Sequence, residues 1–165
     1  FLVDVPPGIN LGQDSPTPGL MERKPRPSQE NIVTRSLAVW LALVGVVMAA
    51  STLGLMWFFE QAGASIEIVH TLGFVTFSLT HIFAALSYRN PYGSVFSRET
   101  FNNSKLNRAM LISLLAIFLP TELNFLSQSL GLVSLPFEGW LFCILVASLS
   151  LWVSEGYKLI ANIKK

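Results

Sequence analysis

The sequence predicts an all-α integral membrane protein, in which a bundle of four complete transmembrane helices follows a truncated, proline-broken helix end. Two observations support this fold class: 52% of the 165 residues are hydrophobic and 13% are charged, and the charges avoid four long stretches. An ordinary soluble domain is about a quarter charged. A buried soluble bundle would also need polar outer faces on its helices, and these stretches have none.

Four stretches are nearly free of charge and long enough for a bilayer core, which takes roughly 20 apolar residues of helix. They are 36–59 and 69–87 without a charged residue, 109–127 with the single acid Glu122, and 139–160 with Glu155 and Lys158 near its end. We predict one transmembrane helix for each stretch. Together these helices form a C-terminal domain over residues 36–165.

The Lys and Arg residues predict how this domain is oriented. Four of them lie in the loop 13–35, four in the loop 88–108 and three at the C-terminal end, while the loops 60–68 and 127–138 contain none. Positive residues mark the cytoplasmic side of a membrane protein. We therefore predict that 13–35, 88–108 and the C-terminus are cytoplasmic in a multi-pass protein of the cell membrane.

The first twelve residues, FLVDVPPGINLG, place an acid and two prolines in an apolar context. A carboxylate at membrane depth costs roughly 2.5–3.5 kcal/mol, so Asp4 is expected to face a partner or an aqueous site. Pro6 and Pro7 remove two amide donors and free carbonyl oxygens one turn back. Unwound carbonyls beside a carboxylate make a hard-oxygen site, suited to Ca²⁺, Na⁺ or a proton. The alternative is an interfacial acid before a turn.

The topology implies that residues 1–12 are the inner half of a broken membrane helix whose outer half precedes Phe1. We therefore expect the chain to be a fragment or a processed piece of a longer protein. Residues 13–35 contain four prolines and few apolar residues, which is typical of an extended, semi-rigid loop. This loop is expected to lie on another cytoplasmic surface; the alternative is a passive solvated connector.

His81, in the apolar stretch FSLTHIFAAL, is the second candidate for function. An imidazole there can accept a proton or neighbour an ion site, or it can simply hydrogen-bond to an adjacent helix. Ala84 and Ala85 permit close helix packing. Glu122 is interpreted as an interfacial acid, and Glu155 and Lys158 are spaced to pair or to snorkel.

The sequence lacks the motifs of several enzyme classes. It contains no P-loop, nucleotide-binding fold, Ser-His-Asp set or paired catalytic carboxylates, and its single cysteine, Cys143, excludes a disulfide framework. We expect no cofactor bound by this chain alone and no nucleic-acid partner. Whether the chain contributes to an enzyme stays open at this point.

The stretch LVDVPPGINLGQDSPTPGLMERKPR resembles the sixth membrane helix and following loop of P-type cation-transporting ATPases of the calcium/sodium class. The resemblance implies that Asp4 is a direct ligand of the transported ion and that Pro7 is the family proline. It also implies that Arg23, Lys24, Pro25 and Arg26 form a coupling loop against the phosphorylation domain. The rest of the chain follows the order of helices seven to ten.

What the resemblance implies is the C-terminal membrane domain of an ATP-driven cation pump. Ca²⁺ is the expected ion, with Na⁺ or H⁺ as alternatives, while ATP and Mg²⁺ would bind the missing part. The expected partners are the lipid bilayer, the transported cation and the remaining domains and helices of the pump. His81 stands where the muscle-reticulum pumps place a glutamate ligand, and Ala84 replaces a family asparagine. These departures favour one ion per cycle or a different ion.

Two other functions fit the residues. The first is a stand-alone four-helix membrane protein that acts as an accessory subunit or scaffold without transport. The second is a secondary transporter that uses Asp4 and His81 for protons, although no inverted repeat is visible. A phosphorylation motif encoded upstream of Phe1 would favour the pump over both.

Overall fold

The computed structural model describes residues 3–13, 33–89, 94–97 and 102–163, and over these ranges all regular structure is helical. The predicted all-α class is thereby confirmed. The helices are α1 (Val5–Gly12), α2 (Arg35–Gln61), α3 (Ile66–Arg89), α4 (Ser104–Glu122), α5 (Asn124–Leu130) and α6 (Phe137–Ile163). The basic part of the predicted coupling loop, residues 23–26, lies outside the described residues.

Three of these helices, α2, α3 and α6, are long and apolar enough to cross a membrane, and α4 with α5 makes a fourth if a bent pair is one span. The 27 residues of α2 extend about 40 Å, more than the roughly 30 Å of a hydrocarbon core. Large apolar side chains on the outer faces of α2 and α6 are exposed, among them Val46, Leu53 and Leu145. Such faces suit lipid rather than water.

The predicted helix 109–127 is not a single straight helix. Helix α4 ends at Glu122, Leu123 adopts extended backbone angles, and α5 continues at 87° to α4. Pro120 explains why the helix is weak here, because proline has no N–H and its ring crowds the carbonyl one turn earlier. The corner is held from outside, where the Ser134 hydroxyl donates to Glu122 Oε2 at 2.9 Å.

Helix α3 is the centre of the bundle, packed against α1, α2, α4 and α6. Its apolar side chains join the main core, which contains Leu55, Leu72, Val75, Leu79, Ile82, Ile117, Leu135, Cys143 and Ala147. At Gly73 a Cβ atom would lie 2.5 Å from Met56 Sδ, so the Met56 side chain of α2 packs into the space that glycine leaves. Ala84 and Ala85 are also buried in helix contacts, as their size favours.

Local signals explain where two of these helices begin. The Thr34 hydroxyl accepts a hydrogen bond from the Leu37 amide at the start of α2. The Asn103 side chain accepts from the amides of Lys105 and Leu106 at the start of α4. Such caps satisfy amides that have no partner within the helix. Helix α5 ends at Gly131, whose φ of 65° favours glycine.

Candidate functional site

The structure brings Asp4 and His81 together. Asp4 precedes the first residue of α1, and its side chain makes no capping hydrogen bond to that helix. Its Oδ1 lies 3.2 Å from Nδ1 of His81 in the middle of α3. This distance lies within the range of an N–H···O hydrogen bond. Asp4 and His81, which lie far apart in the chain, therefore share one site.

The ring of His81 is held by its own helix. Phe77, one turn earlier on α3, packs edge-on against the imidazole with ring centroids 4.6 Å apart. With its proton on Nδ1, the imidazole donates to the Asp4 carboxylate. Nε2 is buried and has no hydrogen-bond partner among the described residues. The imidazole is thus oriented toward Asp4 on one side and incompletely satisfied on the other.

Both side chains of the pair are accessible. The Asp4 side chain is 52% exposed and the His81 side chain 35% exposed. Within the described ranges, no group of three or more His, Cys, Asp or Glu side chains could hold a metal ion. A metal ion held by Asp4 and His81 would therefore need further ligands besides these two side chains.

The two prolines stand in the first turn of α1, where a missing amide is tolerated. Helix α1 thus begins at Val5, directly before the two prolines, and what precedes residue 3 lies outside the described part of the chain. Since Pro7 has no N–H, the Val3 carbonyl lacks the usual donor one turn ahead. The Ser113 hydroxyl of α4 supplies a donor instead, at 2.7 Å. The carbonyl that the prolines release is therefore bonded to a neighbouring helix.

Sequence reasoning did not identify Ser113 as part of this site. The signal was weak, because Ser113 is one hydroxyl in the apolar run AMLISLLAIF. A buried hydroxyl in a membrane helix often bonds a carbonyl of its own helix, so its bond to Val3 follows from packing of α4 on α1 rather than from any motif. Ser113 anchors the backbone directly before Asp4.

A second polar cluster lies at the end of α6. Lys158 Nζ is 2.8 Å from Glu155 Oε1, so the predicted pairing of these residues is present in the structure. The two clusters differ in exposure: the side chains of Asp4 and His81 are 52% and 35% exposed, whereas Lys158 is buried. Glu122 is engaged by Ser134 at the α4–α5 corner and does not reach the Asp4 pair.

Comparison with known proteins gives a consistent result. The family model "Cation transporting ATPase, C-terminus" matches residues 1–160. The chain is 26% identical to a calcium-transporting ATPase 1 of Bacillus cereus over 96% of its length, and 28% identical to one of Schizosaccharomyces pombe over 94%. It is 25% identical to the human calcium-transporting ATPase type 2C member 1 over 83%. These alignments cover 20%, 17% and 16% of the three relatives, so the chain spans a fifth or less of each.

Proposed function

Because the chain belongs to the family of cation-transporting ATPase C-termini, we propose that it is the C-terminal membrane domain of an ATP-driven cation pump. In this proposal Asp4 is one ligand of the transported cation. The observation that carries it is the Asp4 carboxylate, half exposed at the start of a proline-led helix and 3.2 Å from His81. In a helix that served only as a scaffold, an acid that makes no capping hydrogen bond would contribute little at this position.

We assign different roles to the two carboxylate oxygens of Asp4. In this proposal His81, whose Nδ1 lies 3.2 Å from Oδ1, orients the carboxyl group of Asp4. The other carboxylate oxygen, Oδ2, is the one that would bind a hard cation. The Val3 carbonyl, bonded to Ser113, keeps the backbone before Asp4 in place. The protein thereby offers one oriented oxygen before the cation arrives, which lowers the cost of binding.

The proposed cargo is Ca²⁺, because the matched relatives are named calcium-transporting ATPases and an oriented carboxylate oxygen suits a hard ion. Na⁺ and H⁺ are the alternatives. His81 is a neighbour of the ion rather than a second carboxylate, and this favours a single cation at this end of the site. ATP and Mg²⁺ would be bound by the remaining domains of the pump.

Orientation and coupling complete the proposal. The loops 13–35 and 88–108 and the C-terminus face the cytoplasm of a cell-membrane protein, as the distribution of Lys and Arg predicts. Within the first loop, Arg23, Lys24, Pro25 and Arg26 contact the phosphorylation domain. Phosphorylation there shifts the population between a state that binds the cation and a state that releases it.

The test is Asp4→Asn in the full-length protein that contains this chain. We expect the variant to lose cation-dependent phosphorylation by ATP, because an amide has no charge to offer the cation. The matched control is Glu122→Gln, which removes a carboxylate that the structure places at the α4–α5 corner. The control should be phosphorylated like the wild type.

Cation activation that is the same in Asp4→Asn and in the wild type would overturn the assignment of Asp4. A full-length protein without any ATP phosphorylation would instead support an accessory or scaffold role. Transport that continues without ATP would support a secondary transporter.

A further inference from the structure

The end of α6 contains a buried charge that the proposed transport site does not use. The Lys158 side chain is 4% exposed, and that of its partner Glu155 is 13% exposed. Removing an ammonium group from water costs several kcal/mol unless it is paired and hydrogen-bonded. The buried ammonium group of Lys158 therefore depends on the contacts that it makes.

Lys158 joins α6 to the end of α3. Its Nζ donates to the backbone carbonyl of Ser87 at 2.9 Å and to Glu155 Oε1 at 2.8 Å. The last carbonyls of a helix carry partial negative charge, so Ser87, near the C-terminus of α3, is a favourable acceptor for a cation. Lys158 Nζ also lies 5.8 Å from the centroid of the Trp40 ring, within range of a cation–π contact with α2.

The other oxygen of Glu155 holds part of the loop between α3 and α4. Glu155 Oε2 accepts a hydrogen bond from the Val95 amide at 3.2 Å. The Val95 side chain is 2% exposed, and the neighbouring Phe96 ring packs on Trp152 of α6. One carboxylate therefore binds the lysine and the loop at the same time.

Hydroxyl groups reinforce the same junction. The Trp40 indole N–H donates to Ser154 Oγ at 2.9 Å, and Ser154 Oγ is 2.5 Å from Ser87 Oγ. These contacts link α2, α6 and α3 within one turn of Lys158. The residues that meet here are Trp40, Ser87, Val95, Ser154, Glu155 and Lys158, which we call the inner latch.

We propose that the inner latch fixes the position of α3 relative to α6, with Lys158 as its central positioning residue, and thereby holds His81 against Asp4. The proposal rests on the proposed function. Ser87 lies six residues beyond His81 on the same helix, about 9 Å further along its axis. A shift of α3 at the latch therefore displaces the imidazole that orients the Asp4 carboxylate. The latch also connects residues 94–97 to the transport site.

The test uses the full-length protein with Lys158→Met and Glu155→Leu combined. This pair removes every hydrogen bond of the two side chains without leaving a buried charge unpaired, and such replacements are often neutral for stability. We expect the cation concentration for half-maximal phosphorylation to change by about fivefold. We expect amide hydrogen exchange of residues 94–97 to become about tenfold faster. Maximal phosphorylation per folded protein should not change, whereas a purely structural role would alter only the folded amount.

Lys158→Arg keeps the charge and hydrogen-bond donors in a larger side chain, so both values should lie closer to wild type than those of the double variant. If the double variant yields no folded protein, Ser154→Ala removes the hydroxyl bridge alone and should shift both readouts in the same direction by about twofold. Wild-type exchange in a folded variant would overturn the latch, and an unchanged cation requirement would overturn its positioning role. A wild-type protein without cation-dependent phosphorylation would overturn the proposed function, and exchange would still decide the latch.

Discussion

The Asp4–His81 pair and the Lys158–Glu155 pair each join an acid to a base, at 3.2 Å and 2.8 Å, but the protein surrounds them differently. At the inner latch both carboxylate oxygens and the ammonium group have partners, Lys158 is buried and Glu155 is 13% exposed. At Asp4 the carboxylate pairs with His81 and half of the side chain is exposed, and His81 Nε2 has no hydrogen-bond partner among the described residues.

The two pairs show how one apolar bundle can contain both a satisfied, largely buried ion pair and an exposed one. A fully satisfied buried pair resists exchange of its partners, because any change leaves a charge without compensation. An open pair loses little when a partner leaves, so it can accept another. The inner latch therefore has the features of a structural junction, and Asp4 those of a binding group.

The largest effect that would sharpen this comparison is expected for Lys158→Met alone. The change leaves the largely buried Glu155 charge without its ammonium partner, which should destabilise this part of the protein by about 3–5 kcal/mol. The measurement is modification of Cys143, which is fully buried in the main core, in the full-length protein under increasing denaturant. Adding Glu155→Leu should recover most of the loss; a double variant no more stable than the single one would contradict the pair.

A smaller loss is expected for Ser113→Ala. The Val3 carbonyl would lose its 2.7 Å donor, and an unsatisfied carbonyl costs about 1–3 kcal/mol. Modification of Cys143 again reports the change. Ser129→Ala is the matched control, because Ser129 is exposed and bonds only the carbonyl of Phe125 in its own helix among the described contacts. Equal effects of the two variants would mean that Ser113 does not anchor the segment before Asp4.

The smallest effect on stability is expected for Asp4→Asn. An exposed pair contributes about 0–1 kcal/mol, so the denaturant dependence of Cys143 modification should hardly move. The same variant is expected to lose cation-dependent phosphorylation, which separates binding from stability at this residue. A loss of stability as large as that of Lys158→Met would show that Asp4 is a structural acid and would remove the contrast between the two pairs.

Part of this structure was accessible from sequence because it depends on local patterns. The uncharged stretches and the charged ends predict long apolar helices directly, and the spacing of Glu155 and Lys158 predicts their contact on one helix. The acid Asp4 beside two prolines also predicts a functional site from local sequence alone. Its placement near His81 came from the family resemblance, since the two residues lie on different helices.

Other features were not accessible because they depend on backbone groups and on packing between distant segments. The Ser87 carbonyl and the Val95 amide have no signature in the sequence, yet they complete the inner latch across 71 and 60 residues. The Val3 carbonyl meets Ser113 for a similar reason. Pro120 was visible, but prolines are tolerated inside membrane helices, so the residue did not by itself predict an 87° corner.

Because α4 ends at this corner, it is shorter than α6. Helix α4 has 19 residues, about 28 Å, and carries Lys105 in its first turn, whereas α6 has 27 residues, about 40 Å. In a bilayer with a hydrocarbon core of about 30 Å, α6 fits by tilting, while α4 has no length to spare. We therefore expect a thicker membrane to act first on the α4–α5 corner at Leu123, and lipid chain length to matter most at this edge of the protein.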